Sequence, residues 1–275
     1  MIGKVTDNPK KMYRYLKPIA DYVAAHMHDL GIREAKVLMA KNNEQMVSYF
    51  KQGKIDWLTE TTFSAAYFHE KADAEFLLKK WKKGVGEYRT IFFVRKDSNI
   101  NSLEDLKGKT IAFEDSGSTT AYYLPASLLI EKGLKLVQLA SIREKPPADM
   151  VGYVFSHQEI NTSTWVYRGL VEVGAFNNLD WNKDDHVRKV YRKEMKIIHE
   201  SRPFPRAIEL VNKDLDPKIR ARLKEVLLNI HNDPKASAAL KAYQRTKKFE
   251  EIDEDCRAFL EEASCLLKTV GSELN

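Results

Sequence analysis

Residues 107–133 restrict the fold more than any other stretch. An apolar, partly β-branched run at 110–113 reads as a buried strand. Asp115-Ser116-Gly117 is turn chemistry. Ser118, Thr119 and Thr120 then stand where a helix begins, with Leu124, Leu128 and Leu129 as its apolar face and Gly133 as its stop. A strand that feeds directly into a helix is the unit of an α/β sheet. The first amides of a helix lack internal partners and the dipole there favours negative charge, so the three hydroxyls mark a turn that can hold an anion. A plain N-cap role for Ser118 accounts for the same residues more simply, and both readings stand on this stretch alone. Gly108-Lys109-Thr110 is not a phosphate-binding loop: Leu103 occupies the place of the required first glycine, and the triplet precedes the strand.

The rest of the chain repeats the alternation. Asn8-Pro9 starts a helix whose stripe is Met12, Leu16, Ile19, Val23 and Met27, with a kink or break expected at Pro18. Strands are expected at 35–40, 55–58, 90–94, 151–155, 171–176 and 196–199, and helices at 44–53, 63–69 and 160–169. Residues 59–62 and 177–185 read as polar turn and loop, and everything from Asp216 on as helical, with Leu223, Val226, Leu227, Ile230, Leu240 and Tyr243 as apolar faces. This pattern predicts parallel α/β sheets, and 275 residues suffice for two lobes. The best boundary candidate lies at 97–102.

Composition narrows the function. The net charge of +6 suits an anionic ligand, but no dense basic block with interleaved aromatics points to nucleic acid. No apolar run approaches membrane-spanning length. Cys256 and Cys265 lie nine apart in an expected helix and so face nearly opposite sides; neither an intrahelical disulfide nor a metal site is expected. No signal peptide is visible, and Met1-Ile2-Gly3-Lys4-Val5 reads as the end of a first strand, so a trimmed chain is expected. No nucleophile elbow, zinc-type His/Glu spacing or nucleotide loop supports an enzyme; His157 and Glu159, two apart, are at most a weak acid/base pair.

One set of residues carries a resemblance: Arg95-Lys96-Asp97-Ser98, Ser102-Leu103-Glu104-Asp105-Leu106-Lys107-Gly108-Lys109 and Gly117-Ser118-Thr119. Together with Asp7-Asn8-Pro9-Lys10-Lys11, Gly53-Lys54-Ile55-Asp56-Trp57-Leu58, Ser156-His157 and Arg202-Pro203-Phe204-Pro205, they make the chain resemble the phosphate/phosphite/phosphonate substrate-binding proteins of ABC transporters. The resemblance implies the type II periplasmic-binding fold: two α/β lobes, mainly parallel sheets, two crossing strands and a ligand in the cleft, closed by a hinge motion. Lobe one would be 1–94 with 201–275 and lobe two 95–200, hinged near 94–98 and 199–203. The ligand would be a small tetrahedral oxyanion and the partner a membrane permease. The protein would be a periplasmic or membrane-anchored extracytoplasmic monomer without cofactor or metal. A sensor module of the same fold is the alternative, and an enzyme a lesser one.

The resemblance also assigns ligand residues. Ser118, Thr119 and Thr120 match the family's hydroxyl triplet, Tyr88 a tyrosine before the crossing strand, and His157 its histidine. Thr59, Thr61 and Thr62 fall in the first lobe's ligand loop. Tyr88 and His157 also admit ordinary structural roles. Departures stand at Leu58, Thr59 and Glu60, at Ala121 after the triplet, and at Asn177, where members that take aminoalkyl phosphonates carry a carboxylate. Glu60 and Glu159 could restore one, or be solvated surface charges.

Overall fold

The computed structural model describes residues 1–274, the side chains of 272–274 excepted. Its strands, in chain order, are β1 (Ile2–Val5), β2 (Val37–Ala40), β3 (Trp57–Glu60), β4 (Glu75–Lys80), β5 (Glu87–Tyr88), β6 (Thr90–Arg95) and β7 (Thr110–Phe113). There follow β8 (Lys135–Gln138), β9 (Met150–Phe155), β10 (Val173–Asn177), β11 (Met195–Glu200), β12 (Phe204–Pro205), β13 (Ile208–Val211) and β14 (Phe249–Glu250). The chain forms two compact units, Met1–Glu87 with Pro205–Ser264, and Tyr88–Phe204 with Cys265 onward. The chain thus crosses at β5 and β12, whereas the sequence placed the crossings near 94–98 and 199–203. β6 is buried on both faces from Thr90 to Val94, which suits it to the interior of the second sheet.

The first unit holds a six-stranded sheet in the order β14-β4-β13-β3-β1-β2. β1 runs parallel to β2 and β3, while β13 is antiparallel to β3 and β4. One core packs Leu16, Ile19, Val23 and Met27 of the first helix against Trp57, Leu78 and Leu227; another gathers Met46, Phe50, Ile55, Phe68 and Ile208. The helix Pro9–Ala25 runs through Pro18 without a break. The carbonyl that loses its partner belongs to Arg14, on the exposed side, where water can replace the bond.

The second unit holds a six-stranded sheet in the order β11-β6-β10-β7-β9-β8. β7, β8, β9 and β10 run parallel, and β6 is antiparallel to β10 and β11. Its two faces are covered by cores around Phe113, Leu129 and Tyr153 and around Phe93, Val154 and Phe176. Gly174 is required by packing: a Cβ there would lie 2.4 Å from Phe93 Cζ.

The structure corrects the sequence reading in places. Thr59 and Glu60 are strand residues, buried in β3, not part of a polar turn. The expected polar loop at 177–185 contains a helical turn, Asn178–Trp181, capped by Asn177. The region after Asp216 is interrupted by β14. Strands β4 and β13 were not foreseen; β4 ends on buried Lys79 and Lys80 and β13 carries buried Glu209, charges that hide a strand. Cys256 is buried and Cys265 exposed, both unpaired, as opposite helix faces require.

Candidate functional site

Parallel pairing brings the carboxyl ends of β7, β9 and β10 to one edge of the second unit's sheet, with Phe113 opposite Phe155. Antiparallel β6 starts at that edge, Thr90 facing Asn177. Such an edge is where open α/β sheets place ligands. Asn177 ends β10, His157 lies two residues beyond β9, Ser118, Thr119 and Thr120 lie in the turn after β7, and Tyr88 lies two residues before Thr90.

The hydroxyl turn is tightly tied. Glu114 N–H donates to Ala121 O at 3.1 Å and Ser118 N–H to Asp115 O at 3.0 Å. Ser118 Oγ accepts from Ala121 N–H at 3.3 Å, so the N-cap role is realised. The helix opens as a π-turn, Thr119–Tyr123, before the α-helix Leu124–Glu131; such turns recur at functional sites because they re-aim side chains and amides. Thr119 and Thr120 are buried. Thr90 Oγ1 donates to Thr120 O at 3.0 Å, and the Thr90 N–H donates to Ser201 Oγ at 3.0 Å, which fixes the turn against β6. Thr90 went unrecognised in the sequence because it reads as the first residue of a strand.

The other residues are placed as follows. Tyr88 is 6% exposed, its ring 4.6 Å from that of Phe204. His157 is exposed and adopts φ 65°, a left-handed conformation costing a non-glycine about 1 kcal/mol. Its N–H holds that conformation by donating to Glu114 O at 2.8 Å. Asn177 caps the following turn, accepting from Asp180 N–H at 3.1 Å while its amide donates to the Asp180 carboxylate.

The sequence did not reveal how acidic this edge is. Burial, then the neighbouring Glu159 carboxylate and more weakly Asp115 and Asp180, push the Glu114 carboxyl up to about 7, although the Ser118 hydroxyl favours its charged form. Glu159, Asp180 and His186 offer ligand atoms within 4.8 Å of one another, the spacing of a cation site. Lys183 already binds Asp180, so an ammonium takes that role here.

In the first unit the threonines at the end of β3 and just after it are committed to internal bonds. Thr59 Oγ1 accepts from Lys80 Nζ at 2.5 Å and its carbonyl from Lys4 Nζ at 3.1 Å. Thr62 Oγ1 donates to Pro205 O. Thr61 caps the helix Thr62–Ala72, its hydroxyl 3.4 Å from Ser64 Oγ. Glu60 is no solvated surface charge: it is 9% exposed and 2.5 Å from Lys4 Nζ. Behind Thr59, Lys80 and Glu209 form an ion pair at 3.3 Å with both side chains wholly buried. Burial drives the Lys80 ammonium below the usual lysine range, against the pull of Glu209.

The whole chain is similar to known proteins. XAC2383 from Xanthomonas citri, in a structure bound to chloride ion, is 36% identical with a TM-score of 0.92, covering 99% of this chain and 98% of that one. Its structure bound to ATP gives 35% identity and a TM-score of 0.92 over 100% and 98%. PhnD1 from Prochlorococcus marinus (MIT 9301), in complex with methylphosphonate, is similar at a TM-score of 0.65 and 17% identity over 97% of each chain, a likeness of fold alone. A family model described as "ABC transporter, phosphonate, periplasmic substrate-binding protein" matches residues 5–256. The chain belongs to this family of phosphonate periplasmic substrate-binding proteins of ABC transporters.

Proposed function

We propose that the protein captures a small tetrahedral oxyanion (phosphate, phosphite or a phosphonate) at the hydroxyl turn of the second unit. It then delivers the ligand to the membrane permease of an ABC transporter, without chemistry of its own. The observation that supports this most is the convergence of Ser118, Thr119, Thr120, Tyr88, His157 and Asn177 around one strand-end edge, at the mouth of a helix. Hydroxyls and helix amides can donate to three oxygens of such an anion. Asn177 carries a neutral amide, which caps a turn, and not the carboxylate that an ammonium-bearing ligand needs. Glu114, Glu159 and Asp180 supply carboxylates around that edge instead, so aminoethylphosphonate belongs among the test ligands. These carboxylates also oppose a bare dianion unless one is protonated.

A thermal-shift panel of phosphate, phosphite, methylphosphonate, aminoethylphosphonate, sulfate and ATP tests the reading by ligand linkage. At least one oxyanion is expected to raise the midpoint, and Ser118→Ala with Thr119→Val is expected to abolish the rise while the circular dichroism stays unchanged. Each lost bond to a charged group is worth about 1.5–3 kcal/mol, so affinity should drop about 100-fold or more. If no oxyanion shifts the midpoint, the reading fails. A second reading, nucleotide capture, is favoured by the ATP-bound Xanthomonas citri structure; a shift with ATP alone would select it.

A further inference from the structure

The turn from Ser118 to Leu124 is wound more widely than an α-helix. Tyr123 N–H donates to Ser118 O at 3.0 Å and Leu124 N–H to Thr119 O, each five residues back instead of four. Pro125 comes next and has no N–H. Two carbonyls therefore lose a helical donor. In an α-helix Thr120 O would accept from residue 124, and in a longer π-turn from residue 125; the first donor goes to Thr119 and the second does not exist. Ala121 O loses the donor four residues on for the same reason.

Buried carbonyls need partners, and here other segments of the second unit supply them. Glu114 N–H, just past β7, donates to Ala121 O at 3.1 Å. The Thr90 hydroxyl, at the start of β6, donates to Thr120 O at 3.0 Å. Thr90 is wholly buried, and its own place is fixed twice. Its N–H donates to Ser201 Oγ at 3.0 Å, and its carbonyl accepts from Ser201 N–H at 2.9 Å. Ser201 Oγ donates in turn to Arg202 O at 2.8 Å. The hydroxyl turn is thus tied through one threonine side chain to the segment around Ser201.

We propose that Thr90 is the positioning residue of the hydroxyl turn. By donating to the carbonyl that Pro125 leaves open, it keeps the turn in the wide winding that presents Ser118, Thr119 and Thr120 to an oxyanion. The proposal rests on the oxyanion reading above and concerns how that site is held, since Thr90 acts through the turn and not on the ligand.

The winding matters because it sets direction. Rewinding the turn as an α-helix would shift Ser118, Thr119 and Thr120 by one position against Leu124 and the residues after it. That is a rotation of about 100° around the helix axis and a slide of about 1.5 Å along it, so the hydroxyls would leave their present direction. Valine at position 90 keeps the shape of threonine but leaves Thr120 O buried without its donor. Serine keeps the donor.

Calorimetry of the whole chain with phosphate, phosphite and methylphosphonate, with urea unfolding alongside, tests this. Thr90→Val should bind about tenfold or more weakly than wild type, as the loss of one hydrogen bond to the anion would. Thr90→Ser should keep wild-type affinity. Pro125→Ala returns an N–H to the turn and lets it rewind, so it too should weaken binding about tenfold, without a matching loss in urea unfolding. A threonine that only supported the fold would not give that separation. The proposal is overturned, with the oxyanion reading intact, if wild type binds and Thr90→Val stays within about twofold of it, or if Thr90→Ser is as weak as Thr90→Val. If Thr90→Val does not fold, Pro125→Ala decides: affinity within about twofold of wild type overturns the proposal. If wild type binds none of the three anions, the oxyanion reading falls and the proposal falls with it.

Discussion

Glu114→Gln is a perturbation whose sign and size follow from the residue's surroundings. Glu114 follows the last residue of β7 and is only partly exposed. Burial, and then Glu159, raise its carboxyl from 4.5 to about 7. The unfolded chain has neither influence. Between those two pH values the folded protein holds a proton that the unfolded chain has already released. Stability therefore falls as pH rises through this window and is level above it. At 1.36 kcal/mol per pKa unit, the rise from 4.5 to about 7 amounts to ~3 kcal/mol once the carboxyl is fully charged.

Gln keeps the shape and an acceptor for the Ser118 hydroxyl but carries no charge. Glu114→Gln should match wild type near pH 4.5 and exceed it by up to ~3 kcal/mol at pH 8. Native-state exchange of the Ile111 and Ala112 amides, wholly buried in β7, reads the opening of the second unit directly. Glu159→Gln should recover part of the same gain, because it removes the largest charged neighbour. A wild-type-to-Gln difference that stays constant within about 0.5 kcal/mol from pH 4.5 to 8 would refute the reasoning.

Two further outcomes are expected in the fold itself. Glu209→Gln leaves Lys80 buried without its carboxylate and should cost about 3–5 kcal/mol in urea unfolding, while Lys80→Met with Glu209→Gln should regain much of it. Gly174→Ala drives a methyl to 2.4 Å from Phe93 Cζ and 2.9 Å from Thr162 Cγ2; a loss of about 1–3 kcal/mol in the same assay is expected.

Much of the fold was readable where its strands are mostly apolar, as in β6, β7 and β9. The 110–113 run coincides with β7, and the helix after the hydroxyl turn begins where its leucines put it. β4 and β13 escaped because Lys79, Lys80 and Glu209 look like surface residues. The rule that lysine and glutamate stay outside fails when each is the other's partner, and no local pattern reveals a pairing across 129 positions. Thr59 and Glu60 were read as a turn for the same reason: their partners, Lys80 and Lys4, come from other strands.

The candidate sites divide along that line. Ser118, Thr119 and Thr120 were visible because an N-cap is a local event, settled within four residues of sequence. The charges that decide what such a turn tolerates are not local. Glu114 acquires its raised pKa from burial first and then from Glu159 and, more weakly, Asp180, which arrive on separate elements after β9 and β10. Lys82 acquires its lowered one from burial first, then from cations on β4, β1 and the approach to β13. A lysine is ordinarily charged at pH 7 and a glutamate ordinarily ionised. At these two positions a proton is nearly balanced, because burial, and then like charges brought in by chain segments far apart in sequence, disfavour the charged form. An anion at the hydroxyl turn should meet the repulsion of the second unit's carboxylates. Oxyanion binding at the hydroxyl turn should therefore strengthen when Glu114 is made neutral. If Glu114→Gln leaves oxyanion affinity at pH 8 unchanged, the carboxyl does not face the bound anion, and the hydroxyl turn grips its ligand from another side.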